Sequence, residues 1–302
     1  MNPALARQLR CPDCQPHSFL EPEPAGEDLR CPSCGRAFAR SEGVYDLAPR
    51  DIPPLTQETV RQFGSSWSSH EYISPYQRQQ FLDWIAPLTA EAFQGKTVLE
   101  AGCGKGRHTF LMAGCGVQHL WAVDLSDAVL LAAEYARPFP QVTCLRADLL
   151  RLPLADASQD LVVCLGVLHH LERPENGLRE LWRVLKPGGT LCLWVYGREG
   201  NGWVVWLVDP LRKAVTSRIP TLWLRPMLLP LSLFLFALLK LLYGPATGRG
   251  RKAVGWLPYA AYLGYISKFP LREVEHIVLD HLCTPIAYYL SRPQLESMFQ
   301  SL

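Results

Sequence analysis

Four cysteines near the N-terminus have the spacing of a metal site. Cys11 and Cys14 lie in CPDC, Cys31 and Cys34 in CPSCG, with 16 residues between the pairs. Each pair can present two thiolates from a tight knuckle, two knuckles complete a tetrahedral S4 set, and Gly35 permits the left-handed turn that tips amides toward sulfur. Zinc suits this donor set best; two redox CxxC pairs or an iron centre are the alternatives. With all four positions taken by protein ligands, the metal is expected to be structural. It should staple residues 1–48, which are too few to bury a core unaided, and its loss should unfold that module while sparing the rest.

A second constellation begins at VLEAGCGKGRHTFLMAGCG, residues 98–116. Val98 and Leu99 read as the end of a buried strand. Gly102, Gly104 and Gly106 read as a tight turn that brings backbone against a ligand before Arg107 opens a helix. The spacing is G-x-G-x-G, and Glu100 puts a carboxylate where the pyrophosphate of a dinucleotide would be repelled. A cationic ligand fits better. S-adenosylmethionine carries a sulfonium, an ammonium and a diol, and Asp124, 24 positions after Glu100 at the end of a second apolar run, can offer a carboxylate to ribose hydroxyls.

Further segments repeat the alternation of strand and helix. VTCLRADL at 142–149 reads as a third strand ending in Asp148, and DLVVCLGVLHHL at 160–171 as a fourth ending in a histidine pair. The helix GLRELWRVLKPGG then leads into the strand TLCLWVY at 190–196. On these motifs the chain resembles the class I S-adenosylmethionine-dependent methyltransferase family, whose fold is an α/β, Rossmann-like, mostly parallel sheet. The resemblance implies that Asp124 holds the ribose hydroxyls, that Asp148 accepts from the adenine amino group with Leu149 beside the ring, and that Glu100 supports the methionine end. Asp160 is read as structural. The Cys module resembles zinc ribbons, including small ones that precede or assist methyltransferases.

The domain reading is a ribbon at 1–48, a connector with helices at 49–95, a cofactor core at 96–196, a basic and apolar helical insertion or cap at 197–270, and a helical C-terminal part at 271–302. The final strands of a seven-stranded family sheet have no counterpart after SRPQLESMFQSL, so a truncated chain, a cap or a neighbouring copy in a homo-oligomer is expected at the open edge. Phe63, Trp67, His70 and Tyr72 either line the cofactor mouth or anchor the connector. No apolar leader follows Met1–Arg10, which points to a cytoplasmic location, peripheral on the inner face of a membrane if the insertion meets lipid.

The formal charge of the whole chain is +2, which gives no footprint for nucleic acid. Between Trp203 and Tyr265, however, stand Arg212, Lys213, Arg218, Arg225, Lys240, Arg249, Arg251 and Lys252 against Asp209 alone. The same stretch holds the apolar run 227–239, whose 13 residues fall short of the roughly 20 a spanning helix needs. A lipid surface, a buried cap helix and an oligomer contact all fit. Together these features favour a small-molecule acceptor that is hydrophobic or lipid-linked and anionic. The alternatives are RNA base methylation with the ribbon reading RNA, and a non-enzymatic ribbon-bearing partner protein. Acidic residues outnumber basic ones in 1–48, which argues against a phosphate-binding ribbon. On the acceptor side, His169 and His170 are candidates to take a proton, with Tyr196 and the neighbouring Arg198 and Glu199 on the same rim. His281, with Tyr288 and Tyr289, is the reserve choice, and His276 and Asp280 stand near it as conceivable metal ligands.

Overall fold

The computed structural model describes residues 3–14, 18–23, 28–66, 75–216, 219, 221–244 and 259–302. Trp67, His70, Tyr72, Arg218, Arg249, Arg251, Lys252 and the side chain of Phe63 lie outside that description. Two units make up the chain: Met1–Gly200 with Tyr288–Leu302, and Asn201–Ala287.

The first unit opens with α1 (Pro3–Ala6) and a small antiparallel sheet, β1 (Glu21–Pro22), β2 (Leu29–Arg30) and β3 (Ala37–Phe38), in that order. The hairpin β4 (Arg40–Ser41) and β5 (Val44–Asp46) turns on Glu42 and Gly43, both at positive φ (51° and 83°), as a two-residue hairpin turn requires. Helices α2 (Pro54–Ser66) and α3 (Pro75–Ile85) precede the strands β6 (Thr97–Ala101), β7 (His119–Asp124), β8 (Val142–Arg146), β9 (Gln159–Leu165) and β10 (Leu185–Trp194). Between these lie α4 (Arg107–Ala113), α5 (Ala128–Ala136) and α6 (Pro174–Val184). Every residue of β6 is buried, the polar Thr97 and Glu100 included, as in a central strand covered on both faces.

The strand order of the large sheet is β10-β9-β6-β7-β8-β5-β4, parallel except for the antiparallel β4 edge. Its mostly parallel, helix-flanked form is the Rossmann-like architecture of class I methyltransferases. The crossovers leave β6 in opposite directions, to β7 on one side and β9 on the other, so the chain after β6 emerges at a topological switch point.

Three expectations need correction. First, 1–48 is not a self-contained module. β5 pairs in parallel with β8 (Val44 with Cys144, Tyr45 with Leu145, Asp46 with Arg146), so the hairpin that ends this segment supplies two strands of the central sheet. Leu9, Leu29, Phe38 and Leu47 share one buried cluster with Leu99, Trp121, Val123 and Leu145, and Gln8 Oε1 accepts from Trp121 Nε1 at 3.3 Å. A module that shares its core with the sheet cannot unfold alone and spare it.

Second, strands end earlier than their apolar runs. β8 stops at Arg146, and Asp148 instead caps the 3-10 turn Leu149–Arg151. β9 stops at Leu165, because Gly166 (φ 78°) turns the chain into the 3-10 turn Leu168–His170. Third, the C-terminal part divides: 271–287 belongs to the second unit, while Tyr288–Leu302 returns to the first. There Gly197 and Leu290 form a parallel bridge beside the end of β10. Among the described residues no strand follows β10 in the large sheet, yet the sheet reaches seven strands through the N-terminal hairpin.

The second unit contains α7 (Asp209–Ala214), α8 (Thr221–Leu238), α9 (Ala260–Ile266) and α10 (Leu271–Cys283); α11 (Arg292–Gln300) belongs to the first, capped by Ser291 with Gln294. α8 runs on through a π-turn, Leu239–Tyr243, which changes the count made from sequence. Trp223–Tyr243 is 21 residues, long and apolar enough to cross a membrane by length and composition. The fully buried Arg212 guanidinium ties this unit together. It donates to the carbonyls of Thr284 (2.6 Å), Pro285 (2.9 Å) and Ala287 (3.2 Å) and pairs with Asp209.

Because the N-terminal segment and the sheet share one core, Phe38→Ala is expected to lower the stability of the first unit by about 3–5 kcal/mol. Differential scanning calorimetry should show the main transition of that unit moving as a whole. A separate, earlier ribbon transition with the main one unmoved would contradict the shared core.

Candidate active site

The three glycines after β6 do three different things. Gly102 (φ 81°) has the methyl groups of Val167 where a Cβ would stand, 2.2 Å from the nearest, so its bareness admits the chain that follows β9. Gly106 (φ 82°) faces Ala132 Cα at 2.6 Å, so it seats α4 against α5 rather than meeting a ligand, a packing role the sequence reading did not assign. Gly104 (φ 51°) alone opens onto free space, with no atom within 4 Å of its missing Cβ. Of the three, it is the position where a ligand can approach the backbone.

The turn is held by its neighbour strand. Gly102 N and Cys103 N donate to Val123 O at 2.7 and 2.9 Å, and Gly104 N donates to Asp124 Oδ2 at 2.7 Å. Asp124 Oδ1 accepts from Ser126 N at 2.8 Å and Ser126 Oγ at 2.6 Å. A diol reaching this carboxylate would share its oxygens with donors already present. The Ser126 hydroxyl, a rotor, can swing aside for it. Burial raises the Asp124 pKa, with the Ser126 bonds pulling it back.

Glu100 sits at the end of β6, buried, and accepts from the Thr109 hydroxyl on α4. Burial pushes its carboxyl up to about 8, against the Thr109 bond, and the Asp124 charge adds to the rise. His108 Nδ1 stands 3.9 Å from Glu100 Oε1, but burial holds that imidazole well below its usual range, so it brings no charge to the pair. Burial thus favours the neutral acid at Glu100, and a cation placed beside it would favour the carboxylate. Asp148 is also buried, with its pKa raised by that burial. Its Oδ1 accepts from Leu150 N at 2.9 Å, and Leu149 beside it is buried too. Asp160 accepts from Thr97 N at 2.9 Å and from Lys186 Nζ at 2.8 Å.

On the neighbouring rim, His169, His170 and Tyr196 come together. The His169 and Tyr196 rings are 4.0 Å apart between centroids, the two histidines 4.2 Å, and Tyr196 stacks on Tyr289 at 5.5 Å. Tyr288 N donates to His169 O at 2.9 Å, which fixes the returning C-terminal segment against this turn. Glu199 accepts from Arg292 N at 2.9 Å, so it caps α11. Sequence reasoning missed Trp84 and Trp194, which stack at 4.1 Å and 16° and extend the same aromatic wall. The place of Trp194 at the carboxyl end of β10 was the available signal. His281 lies in the second unit on α10, where burial lowers its pKa. His276 and Asp280 stand on the same helix, and among the described residues the only cluster whose side chains could jointly hold a metal is the cysteine quartet.

Those four Sγ atoms lie within 4.8 Å of one another, with Cys11–Cys34 at 3.8 Å and Cys14–Cys31 at 3.7 Å. A tetrahedron of sulfurs about 2.3 Å from a zinc ion has edges of about 3.8 Å, which the Cys11–Cys34 and Cys14–Cys31 separations match.

Residues 99–193 match the family described as "Methyltransferase domain". The matched segment runs from within β6 to within β10. Over 134 residues the chain is 35% identical to a tRNA U34 carboxymethyltransferase of Pseudoalteromonas translucida, covering 43% of this chain and 40% of that protein. It is 37% identical over 155 residues to an Encephalitozoon cuniculi protein named as a methyltransferase, covering 50% and 65%. The chain therefore spans less than two thirds of the length of either relative. Among solved structures, the N-methyltransferase NodS from Bradyrhizobium japonicum in complex with S-adenosyl-L-homocysteine aligns with a TM-score of 0.40 at 21% identity, over 44% of this chain and 71% of that one.

The raised pKa of Glu100 makes two pH statements. Without ligand, the unfolded chain ionises near 4.5 and the folded chain near 8, so this group's contribution to stability falls as pH rises through that window. A cationic ligand favours the carboxylate and must expel the proton below about 8. Affinity for S-adenosylmethionine is therefore expected to rise with pH from about 6 to about 8 and to level off above it, with about one proton released, measured by calorimetry in buffers of different ionisation enthalpy. Glu100→Gln should abolish the slope; a slope that survives in that variant would move the titration elsewhere.

Proposed function

We propose that this chain transfers the methyl group of S-adenosylmethionine to a hydrophobic or lipid-linked, anionic small-molecule acceptor, with a structural zinc ion held by Cys11, Cys14, Cys31 and Cys34. The observation that carries the cofactor assignment is the Asp124 carboxylate locked to the amide of Gly104, the one glycine of this turn that faces open space, with Glu100 buried nearby. When bound, S-adenosylmethionine supplies a methyl group on a positively charged sulfur, already set for in-line displacement. The chain's own work is to hold and to orient. Asp124 takes ribose hydroxyls, Asp148 and Leu149 take the adenine, and Glu100 balances the methionine end. A ring nitrogen of the His169–His170 pair accepts the acceptor's proton, and Tyr196 fixes the pair by ring contact. Support for an apolar acceptor comes from the Trp84, Trp194, Tyr196 and Tyr289 wall and from the apolar, basic composition of the second unit.

A second reading, methylation of an RNA base, is favoured by one observation: a similar protein is named a tRNA U34 carboxymethyltransferase. The acidic excess of residues 1–48 weighs against it.

Incubation with methyl-labelled S-adenosylmethionine and either a membrane lipid extract or unmodified tRNA separates these readings. Label in the organic phase is the expected result. Label in tRNA would establish the second reading, and cofactor binding without transfer to either would point to a non-enzymatic partner protein. Single His169→Ala and His170→Ala variants should lower the rate by roughly 100-fold at the residue that takes the proton, with cofactor affinity kept. Full rate in both would remove the histidines from the chemistry.

A further inference from the structure

We propose that the second unit docks on a lipid bilayer by laying the outward face of α8 into the interface, with the helix axis parallel to the membrane plane. This goes beyond methyl transfer and does not depend on it.

The helix from Trp223 to Tyr243 has two faces of different kind. Leu224, Ser232, Leu239 and Tyr243 are buried at helical spacing, packed toward Leu279 and Cys283 at one end and Ile266, Phe269 and Val274 at the other. The Ser232 hydroxyl on that stripe is satisfied, since its Oγ donates to Leu228 O at 3.0 Å. Trp223, Met227, Leu231, Phe234 and Leu241 form a stripe on the opposite side, exposed by 41–75%. Only 17% of the helix's apolar stretch is buried, so it is not the core helix of a water-surrounded fold. Isolated exposed leucines are ordinary, but a contiguous stripe of this length marks a surface that meets something apolar.

Charge placement identifies what it meets. The helix carries two charged side chains, and both are drawn back into the unit: Arg225 Nε pairs with Glu275 Oε1 at 2.8 Å, and Lys240 Nζ donates to Ser267 O at 2.6 Å. That leaves the outward stripe without a charged group among the described residues, as hydrocarbon requires and as a wet protein surface does not. Trp223, on the outward stripe, brings an amphipathic ring suited to the headgroup level. A span is excluded by what the other face holds. α10 packs along α8 and carries Arg272, Glu273, Glu275, His276, Asp280 and His281, and drawing it into the hydrocarbon would bury those groups at a cost the apolar stripe cannot offset. Lying flat, the stripe enters the boundary by about 5–10 Å while α10 stays outside.

The test is flotation of the intact chain with neutral phosphatidylcholine vesicles and with vesicles containing phosphatidylglycerol, at low and high salt. The expected result is co-flotation with both, persisting at high salt because the contact is apolar. Met227→Glu combined with Phe234→Glu, two exposed positions whose change leaves the packed stripe intact, should reduce flotation by roughly tenfold or more while circular dichroism and S-adenosylmethionine binding stay as in the unaltered chain. Four results would overturn the proposal: absence of flotation by the unaltered chain, equal flotation of the double variant, binding to anionic vesicles alone with release by salt, or resistance to alkaline carbonate extraction, which marks a span. A dimer that the double variant dissolves, with no vesicle binding, would make a second copy the occupant instead.

Discussion

The bond from Gly104 N to Asp124 Oδ2 is the constraint from which the first unit's site is built. It joins the turn after β6 to the end of β7, and with the paired donors Gly102 N and Cys103 N on Val123 O it fixes the loop at the switch point of the sheet. A carboxylate in that place must be buried and must be bonded, and both needs are met by backbone and by Ser126. The result is a pre-formed cradle with one bare Cα opening outward. Glu100, beneath the same turn, is buried, and that burial raises its carboxyl pKa to about 8.

The second constraint is the parallel pairing of β5 with β8. It converts what resembles a free-standing ribbon into the far edge of the catalytic sheet, and it sets Leu47 N on Arg146 O at 2.9 Å, two residues before Asp148. Arg146 in turn reaches Leu125 O at 3.3 Å, next to Asp124. The sulfur cluster and the two carboxylates assigned to the nucleoside are thus parts of one hydrogen-bonded frame. Metal held by the cysteines would brace the edge strands that position Asp124 and Asp148, without a share in the chemistry.

Much of this was legible before the structure. The glycine turn, the strand before it, the carboxylates at 124 and 148 and the four cysteines each have a local signature, because turns, knuckles and strand ends are set by neighbouring residues. What was not legible is non-local. Nothing in Arg40–Asp46 announces that the hairpin will pair with a strand a hundred residues later, since short strands carry too few side chains to specify a partner by pattern. Equal spacing made Gly102, Gly104 and Gly106 look alike, whereas Val167 and Ala132, distant in sequence, decide that two of them serve packing. The apolar run 227–239 counts only 13 residues, whereas the apolar helix starts before it, at Trp223, and continues past Lys240, which bonds to Ser267 O, to Tyr243.

The account's central claim is that the turn after β6 binds a cationic nucleoside and not a dinucleotide. Isothermal titration of the intact chain with S-adenosylmethionine and, separately, with NAD tests it most directly. One equivalent of S-adenosylmethionine should bind and NAD should give no heat, and Asp124→Ala should weaken the first by about 1.5–3 kcal/mol. Binding of NAD in preference to S-adenosylmethionine, or an affinity unchanged by loss of the Asp124 carboxylate, would contradict the claim.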